Sequence, residues 1–323
     1  MTESKLRLRP ATLADADMVA ELETARLPDD PRDGVMIAYW WTHAPSEEKS
    51  IRLVDEHAGA IRLFVGAWHW AWRDAERRFG SLRVSVHPKA WSERLYRAGV
   101  DTAESWLRAE DVETSVARVR EDRPQEWQIL AADGYREVRR HRHWELDLVA
   151  NRADLLARAA QARARMRAQG IELLTLDMDP DPDALGKAYE LDLESTRDIP
   201  TTVPFPEPSY DEWVRMYFEN PGITRERFWI ARIGDEVVGM SLIEFPPGRG
   251  VPYTEYTGTS TRFRGRGIAR ALKYQTVAQA IELGATRIRT DNDGANEPIL
   301  HLNDEMGYRA RTPVIEMHRD LAG

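Results

Sequence analysis

Two copies of one triplet, Gly134-Tyr135-Arg136 and Gly307-Tyr308-Arg309, stand 173 positions apart in this chain of 323 residues. Strand-like stretches follow both: one ends in Trp144-Glu145-Leu146-Asp147-Leu148, the other runs Val314-Ile315-Glu316-Met317 and on to Asp320-Leu321. Self-similarity of this kind points to a duplicated unit, and the length independently suggests two domains of about 150 residues. The beginnings of the halves also correspond. Leu6 to Arg9 alternates as a half-buried strand, and Thr12-Leu13-Ala14-Asp15 signals a helix start before Met18, Val19 and Leu22. Ile171 to Leu176 is an apolar strand, and the acidic, Pro-rich Asp177 to Asp183 precedes a helix over Ala184 to Leu193. Between the copies, Asn151 to Gly170 has a strong helix composition closed by glycine, as a linker or as the first element of the second domain. The boundary is placed near 150, giving domains 1–150 and 151–323. Each half reads β-α-(α)-β-β-β-α-β-α-β, an α/β (α+β) plan.

Composition removes several function classes. The net charge of −9 argues against general nucleic-acid binding. No stretch reaches the roughly 20 apolar residues of a membrane span. The opening Met1-Thr2-Glu3-Ser4 lacks the apolar core of a signal peptide. Without cysteine there is no disulfide, thiolate zinc site or cysteine nucleophile, and a reducing cytoplasm is the simplest home. His141 and His143 have strand spacing and read as a solvated strand face, with no carboxylate or cysteine company for a metal. No metal is expected.

The most informative stretch lies in the second half. A strand from Tyr253 to Ser260 leads into Arg262-Phe263-Arg264-Gly265-Arg266-Gly267-Ile268-Ala269, then a helix from about Ile268 to Leu283, a Gly284 cap and a strand over Thr286 to Thr290. Strand, Gly-rich turn and helix start are a recipe for binding pyrophosphate, in which glycines admit the oxygens and the helix N–H groups point at them; the blander reading is a Gly-containing turn with a solvated basic rim. Arg262, Arg264, Arg266, Arg270 and Lys273 add positive charge. Neither a Rossmann nor a Walker pattern is present. Next, Thr290-Asp291-Asn292-Asp293-Gly294-Ala295-Asn296 opens a helix near Glu297-Pro298, with Asn296 as N-cap, running to Met306.

On these residues the sequence resembles the GNAT superfamily of N-acetyltransferases. Arg264-x-x-Gly267-x-Ala269 is similar to the family's acetyl-CoA loop, and Asn296 through Gly307-Tyr308 to its closing helix. The second half follows the family's element order and the first resembles the same fold. The two-domain plan resembles the mycothiol-synthase-like tandem branch. The fold this implies is two tandem GNAT-like domains, each a mixed, mostly antiparallel sheet flanked by helices.

The 173-residue offset tests which copy keeps the loop. Arg264 projects onto Trp91, Gly267 onto Arg94, Ala269 onto Tyr96, Asn296 onto Arg123 and Asn303 onto Leu130. Bulky side chains at 94 and 96 would fill the space where backbone must meet pyrophosphate. The first domain is therefore expected to be a degenerate copy, serving as support, as part of an acceptor pocket or in interdomain packing. Its tryptophans Trp40, Trp41, Trp68, Trp70 and Trp72 suit core or interface packing better than an acceptor pocket.

By the resemblance, the second domain acylates an amine by direct attack in a ternary complex. Thr257, Gly258 and Thr259 would pair with the pantetheine arm, and Arg264, Gly265, Arg266, Gly267, Ile268 and Ala269 would hold the phosphates. Period-2 alternation places Tyr253, Glu255, Thr257 and Thr259 on one face. Glu255 is the candidate base, with ammonium recognition or a solvated carboxylate as its other readings and Glu244 as its competitor. Many family members carry a tyrosine general acid seven residues after the helix-opening asparagine. Here that residue is Asn303, which cannot donate a proton in that sense, leaving water, Tyr253 or Tyr256. Asn292, Asn296 and Asn303 are assigned to cofactor binding, with turn and cap chemistry the other role for Asn292 and Asn296. The Pro-rich Asp198 to Pro208 is read as a wall of the acceptor pocket, with a plain connecting loop as its other reading. The expectation is an acetyl-CoA-dependent (or other acyl-CoA-dependent) N-acetyltransferase on a small-molecule amine, monomeric or homodimeric. The alternative is a non-catalytic CoA-binding sensor or assembly module.

Overall fold

A computed structural model describes residues 6–322 apart from Ser46, residues 71–75, Asp198, Pro200, Phe205 and Ala295. Met1 to Ser4, Trp72 and those positions of the Pro-rich and Asn-rich segments thus lie outside the described residues. The chain divides into two compact units that interleave in sequence: 1–141 with 201–206 and 312–323, and 142–200 with 207–311. This differs from a single cut at residue 150.

In the first unit β1 (Leu8–Pro10) leads through the Thr12–Asp15 capping box into α1 (Ala16–Arg26). Then come α2 (Gly34–Thr42), β2 (Lys49–His57), β3 (Ala60–His69), β4 (Phe79–Val86), α3 (Glu93–Ala109), β5 (Thr114–Arg120), α4 (Pro124–Ala132) and β6 (Arg136–Asp147). Strands β1 to β4 pair antiparallel in order, and β4 runs parallel to β5 over four residue pairs, Phe79↔Thr114 to Leu82↔Ala117. The core between α3 and the sheet holds Leu63, Val65, Val84, Val100 and Leu107.

The second unit opens with α5 (Arg152–Ala168), which is closed by Gly170 at φ +72. It continues with β7 (Glu172–Thr175), α6 (Ala184–Thr196), α7 (Tyr210–Phe218), β8 (Phe228–Ile233), β9 (Glu236–Glu244), β10 (Tyr253–Thr259), α8 (Ile268–Glu282), β11 (Arg287–Asp293), α9 (Glu297–Glu305) and β12 (Arg309–Ala310). Its strands run β6-β11-β10-β9-β8-β7, with the far end of β6 as a member. Helix α5 packs along α8, so it is part of this unit's core. Helix α8 is buried on nearly every side, including Ile268, Leu272, Val277 and Ile281. Each such aliphatic side chain stabilises the fold by about 1.5–3 kcal/mol.

The last strand, β13 (Val314–Asp320), belongs to the first unit. It pairs with β5 from Val314↔Arg120 to Asp320↔Thr114, and with β6 from Val314↔His141 to His318↔Arg136. Its alternation buries Ile315 and Met317 in the core of Leu63 and Val84. That burial, together with two hydrogen-bonded edges, is why the C-terminal strand groups with the first half of the chain. No described helix is long and apolar enough to cross a membrane.

Candidate active site

Strand β10 carries a bulge. Its register against β9 runs Tyr253↔Glu244, Thr254↔Ile243 and then Tyr256↔Leu242, leaving Glu255 as the extra residue. The alternation therefore slips by one. Tyr253 and Tyr256 share a face with Leu242, toward α6 and α7, while Thr254, Thr257 and Thr259 share the face toward α8. This corrects the regular period-2 reading, in which Tyr253, Glu255, Thr257 and Thr259 would share one face. Local sequence carries no signal for it; the offset shows only in the pairing.

The bulge makes Glu255 unusual. Solvent reaches it, yet its carboxyl is pushed up to about 8 by desolvation against dense protein, then by the like charges of Glu244 and Asp291. Glu244 accepts from Asn220 Nδ2 at 3.1 Å, and the Tyr253 hydroxyl donates to Asp291. Tyr256 instead donates to Ser195 Oγ at 2.7 Å, on α6. Sequence reasoning gave Asp291 and Ser195 no part in the site. Asp291 could have been found as the one residue between Thr290 and the singled-out Asn292.

Beyond the bulge, β10 parts from β11. Among the described residues their parallel pairing is Tyr253↔Arg289 alone, against four pairs in β4 and β5 of the first unit. Thr257 Oγ1 lies 2.8 Å from Ser241 Oγ, and Thr259 Oγ1 is buried without a hydrogen-bond partner. The wedge between β10 and β11 opens past Tyr253, while the pairing in the first unit runs on to Leu82↔Ala117 and stops short of Val86, the end of β4.

At the end of β10 the chain turns into α8. Glu194 of α6 pins this turn, accepting from Thr261 N at 2.7 Å and Ser260 Oγ at 3.2 Å. Beside it, a cavity of about 450 Å³ is lined by Lys187, Glu194, Arg197, Ser260 and Arg262, at the entry to the loop and away from Glu255. Gly265 and Gly267 adopt φ +78 and +83, the left-handed region that disfavours a Cβ. Gly267 is the N-cap of α8, no side chain caps it, and the first turn holds no acidic residue. The N–H groups that open α8 thus stay available to an anion, reinforced by the helix dipole. The matching helix α3 is closed off: Ser92 Oγ accepts from Leu95 N at 3.2 Å and Glu93 adds negative charge. Tyr96 is buried against Trp91, ring centroids 5.4 Å apart, whereas Arg94 is exposed and fills no interior space.

The basic residues divide. Arg264 and Arg266 are exposed on the loop, and the Arg266 guanidinium lies 5.2 Å from the Phe263 ring centre. Arg262 pairs with Glu236 at 2.6 Å and Arg270 with Glu305 at 2.7 Å. Lys273 is 1% exposed inside the unit, which corrects its reading as a phosphate ligand. Its Nζ donates to Asn303 Oδ1, and Asn303 Nδ2 donates to Asn292 Oδ1 at 2.6 Å. Asn303 is itself fully buried. Asn296 opens α9 but its side chain makes no capping bond, so the expected cap chemistry is not what starts this helix.

Two expectations fall in the first unit. His141 does have a carboxylate neighbour: its Nε2 lies 3.4 Å from the fully buried Glu316, on the neighbouring strand. Arg118, His318 and Thr202 also bond that carboxylate, which holds it well below the usual range despite burial. Among the described residues no three His, Cys, Asp or Glu side chains form a metal-holding group. The described part of the Pro-rich segment is held by Thr202 to Glu316 and by Arg197 to Glu207 at 2.8 Å. Trp41 stacks on Phe64, centroids 6.0 Å apart, and Trp40 is 44% exposed.

Residues 187–308 match the profile of the acetyltransferase (GNAT) family. An acetyltransferase of Sodalis glossinidius is 29% identical over 94 residues, which is 29% of this chain and 65% of that protein. The chain thus spans just under two thirds of that curated relative. A tandem GNAT protein from the clavulanic acid biosynthesis pathway superposes with a TM-score of 0.76 at 18% identity, covering 99% of both chains. A GNAT protein of Sphaerobacter thermophilus gives 0.69 at 18% identity, over 98% of this chain and 95% of that one.

Proposed function

We propose that this chain is a tandem member of the GNAT acetyltransferase superfamily, and that its second unit transfers an acyl group, acetyl by preference, from acyl-CoA to a small-molecule amine. The observation that carries this reading is the start of α8: an exposed, uncapped helix N-terminus entered through two left-handed glycines, where the matching helix α3 is capped by Ser92.

The residues present fit the co-substrate. A Cβ at Gly265 would meet nothing within 4 Å, so the loop is open to an incoming group. The N–H groups of Ile268 and Ala269, with Arg264 and Arg266, would hold the pyrophosphate. The β10 edge at Thr257 to Thr259, with the orphaned Thr259 hydroxyl, would pair with the amide-bearing arm. Bound acyl-CoA supplies an activated thioester.

Glu255 is the base in this reading. Raised to about 8, it is ready to take a proton from an amine at neutral to mildly alkaline pH. Glu244 and Asp291 favour an acceptor that arrives as an ammonium, and its charge would draw the Glu255 carboxyl back down. Tyr253, tied to Asp291, orients that wall. The protein is expected to act in the cytoplasm, without a metal, as a monomer or homodimer.

Calorimetric titration with acetyl-CoA, followed by an assay of CoA release across an amine panel, tests the reading. Binding with turnover on at least one amine supports it. Tight binding without turnover on any amine makes the protein a CoA sensor, and absence of binding removes the reading altogether.

A further inference from the structure

Asn303 occupies the position where related enzymes carry a tyrosine acid, so the proton for the leaving sulfur needs another source. The structure shows what Asn303 does instead. Its amide oxygen accepts from Lys273 Nζ and its amide nitrogen donates to Asn292 Oδ1. Lys273 lies over the Tyr308 ring, 4.9 Å from its centre, and pairs with no carboxylate among the described residues. An ammonium buried without a counterion costs several kcal/mol. Burial accordingly pushes this amine down to about 7.

The surroundings place the amine. Asn292 is at the end of β11, beyond the point where β10 and β11 part. Tyr308 lies beside Thr254, the residue before the Glu255 bulge, and the two buried hydroxyls face each other. Lys273 thus stands behind the wedge, held by one strand's asparagine through Asn303 and by the other strand's threonine through Tyr308. A buried cation there, lacking an anion of its own, suits a negative charge that develops in the wedge.

We propose that Lys273, positioned by Asn303 and Asn292, donates the proton to the departing coenzyme A sulfur in place of the absent tyrosine. The inference rests on the acyl-CoA reading above. As the new carbon–nitrogen bond forms and the carbon–sulfur bond breaks, Lys273 Nζ gives one proton to sulfur and Glu255 takes the one lost by the amine. Exchange with solvent resets both, and nothing is oxidised or reduced.

The test uses free coenzyme A, without any amine, bound to the full chain. Thiolate absorbance is followed against pH in the wild type, in Lys273→Met and in Lys273→Gln, the last in case the first does not fold. The wild-type complex is expected to form thiolate at a proton concentration at least about ten-fold higher than either variant complex. In turnover, Lys273→Met is expected to lose roughly 100-fold or more in kcat with KM for acetyl-CoA within about two-fold. Adding Asn303→Tyr to Lys273→Met is expected to recover about ten-fold. Identical thiol titration in wild type and variants overturns the Lys273 assignment while leaving the acyl-CoA reading standing. Failure of the wild type to bind coenzyme A overturns that reading instead.

Discussion

Gly239 on β9 and Ile268 at the head of α8 touch so closely that a Cβ on the glycine would fall 2.6 Å from Ile268 Cγ2. Leu272 Cδ1 would lie 2.9 Å away. The contact sets the height of α8 over the sheet, and with it the place of the N–H groups that open the helix. Gly239→Val is expected to lift α8, weakening acetyl-CoA affinity by about ten-fold or more and lowering stability by roughly 1–3 kcal/mol. Calorimetry and chemical denaturation read the two effects separately.

Gly267 is exposed, at φ +83, with its nearest neighbour Met166 Cε 3.9 Å from a built Cβ. Gly267→Trp should abolish acetyl-CoA binding while the fold survives, because the burden falls on the loop and not on the core. Arg94→Ala, at the matching position of the first unit, should leave affinity unchanged. Loss of binding in the Arg94 variant would assign the working loop to the wrong copy.

For Glu255 the expected sign follows from its role. A base must be deprotonated and the acid Lys273 protonated, so kcat/KM should be bell-shaped in the wild type with its maximum between about 7 and 8, and its base-dependent limb should rise through about 8 in Lys273→Met. Glu255→Gln should remove that limb and lower kcat by about 100- to 10,000-fold. A pH–rate profile of Glu255→Gln that kept the limb would transfer the role to Glu244.

Lys273 also has a consequence for stability. Its folded value of about 7 lies below the ordinary lysine value of 10.5, so between those values the unfolded chain binds the extra proton. Stability should climb with pH across that window and sit at its lowest plateau, as far as this residue is concerned, below about 7. Lys273→Met should lose the climb and be the more stable protein at pH 6, by on the order of a few kcal/mol. Thermal melts at pH 6 and pH 9 provide the comparison.

Glu316 behaves oppositely. Buried, and bonded by Arg118, His318 and Thr202, its carboxyl is held below the usual range, so its contribution is present at neutral pH and lost on acidification. Glu316→Gln should lower stability at pH 7 by about 3 kcal/mol and leave acetyl-CoA affinity in the second unit intact.

The amino-acid sequence by itself determined the tandem plan, the element order and the Gly-rich loop. Those features are local: Gly265 and Gly267 supply a left-handed backbone wherever they stand, and the Gly-Tyr pair ends a helix in both halves, at φ +94 and +88. The absence of a Gly-rich loop from the first half was also legible, although what closes that helix start is the Ser92 cap more than Arg94. Tertiary structure decided the rest. The slip at Glu255 exists only in the register between β10 and β9, so strict alternation put Tyr253 on the wrong face. β13 grouped with the first unit because β5 and β6 offered it two edges and a core for Ile315 and Met317. Lys273 looked like one more phosphate ligand from its spacing, yet α8 is buried almost all round. Whether a lysine meets solvent or an asparagine depends on what packs above it, and no local pattern carries that.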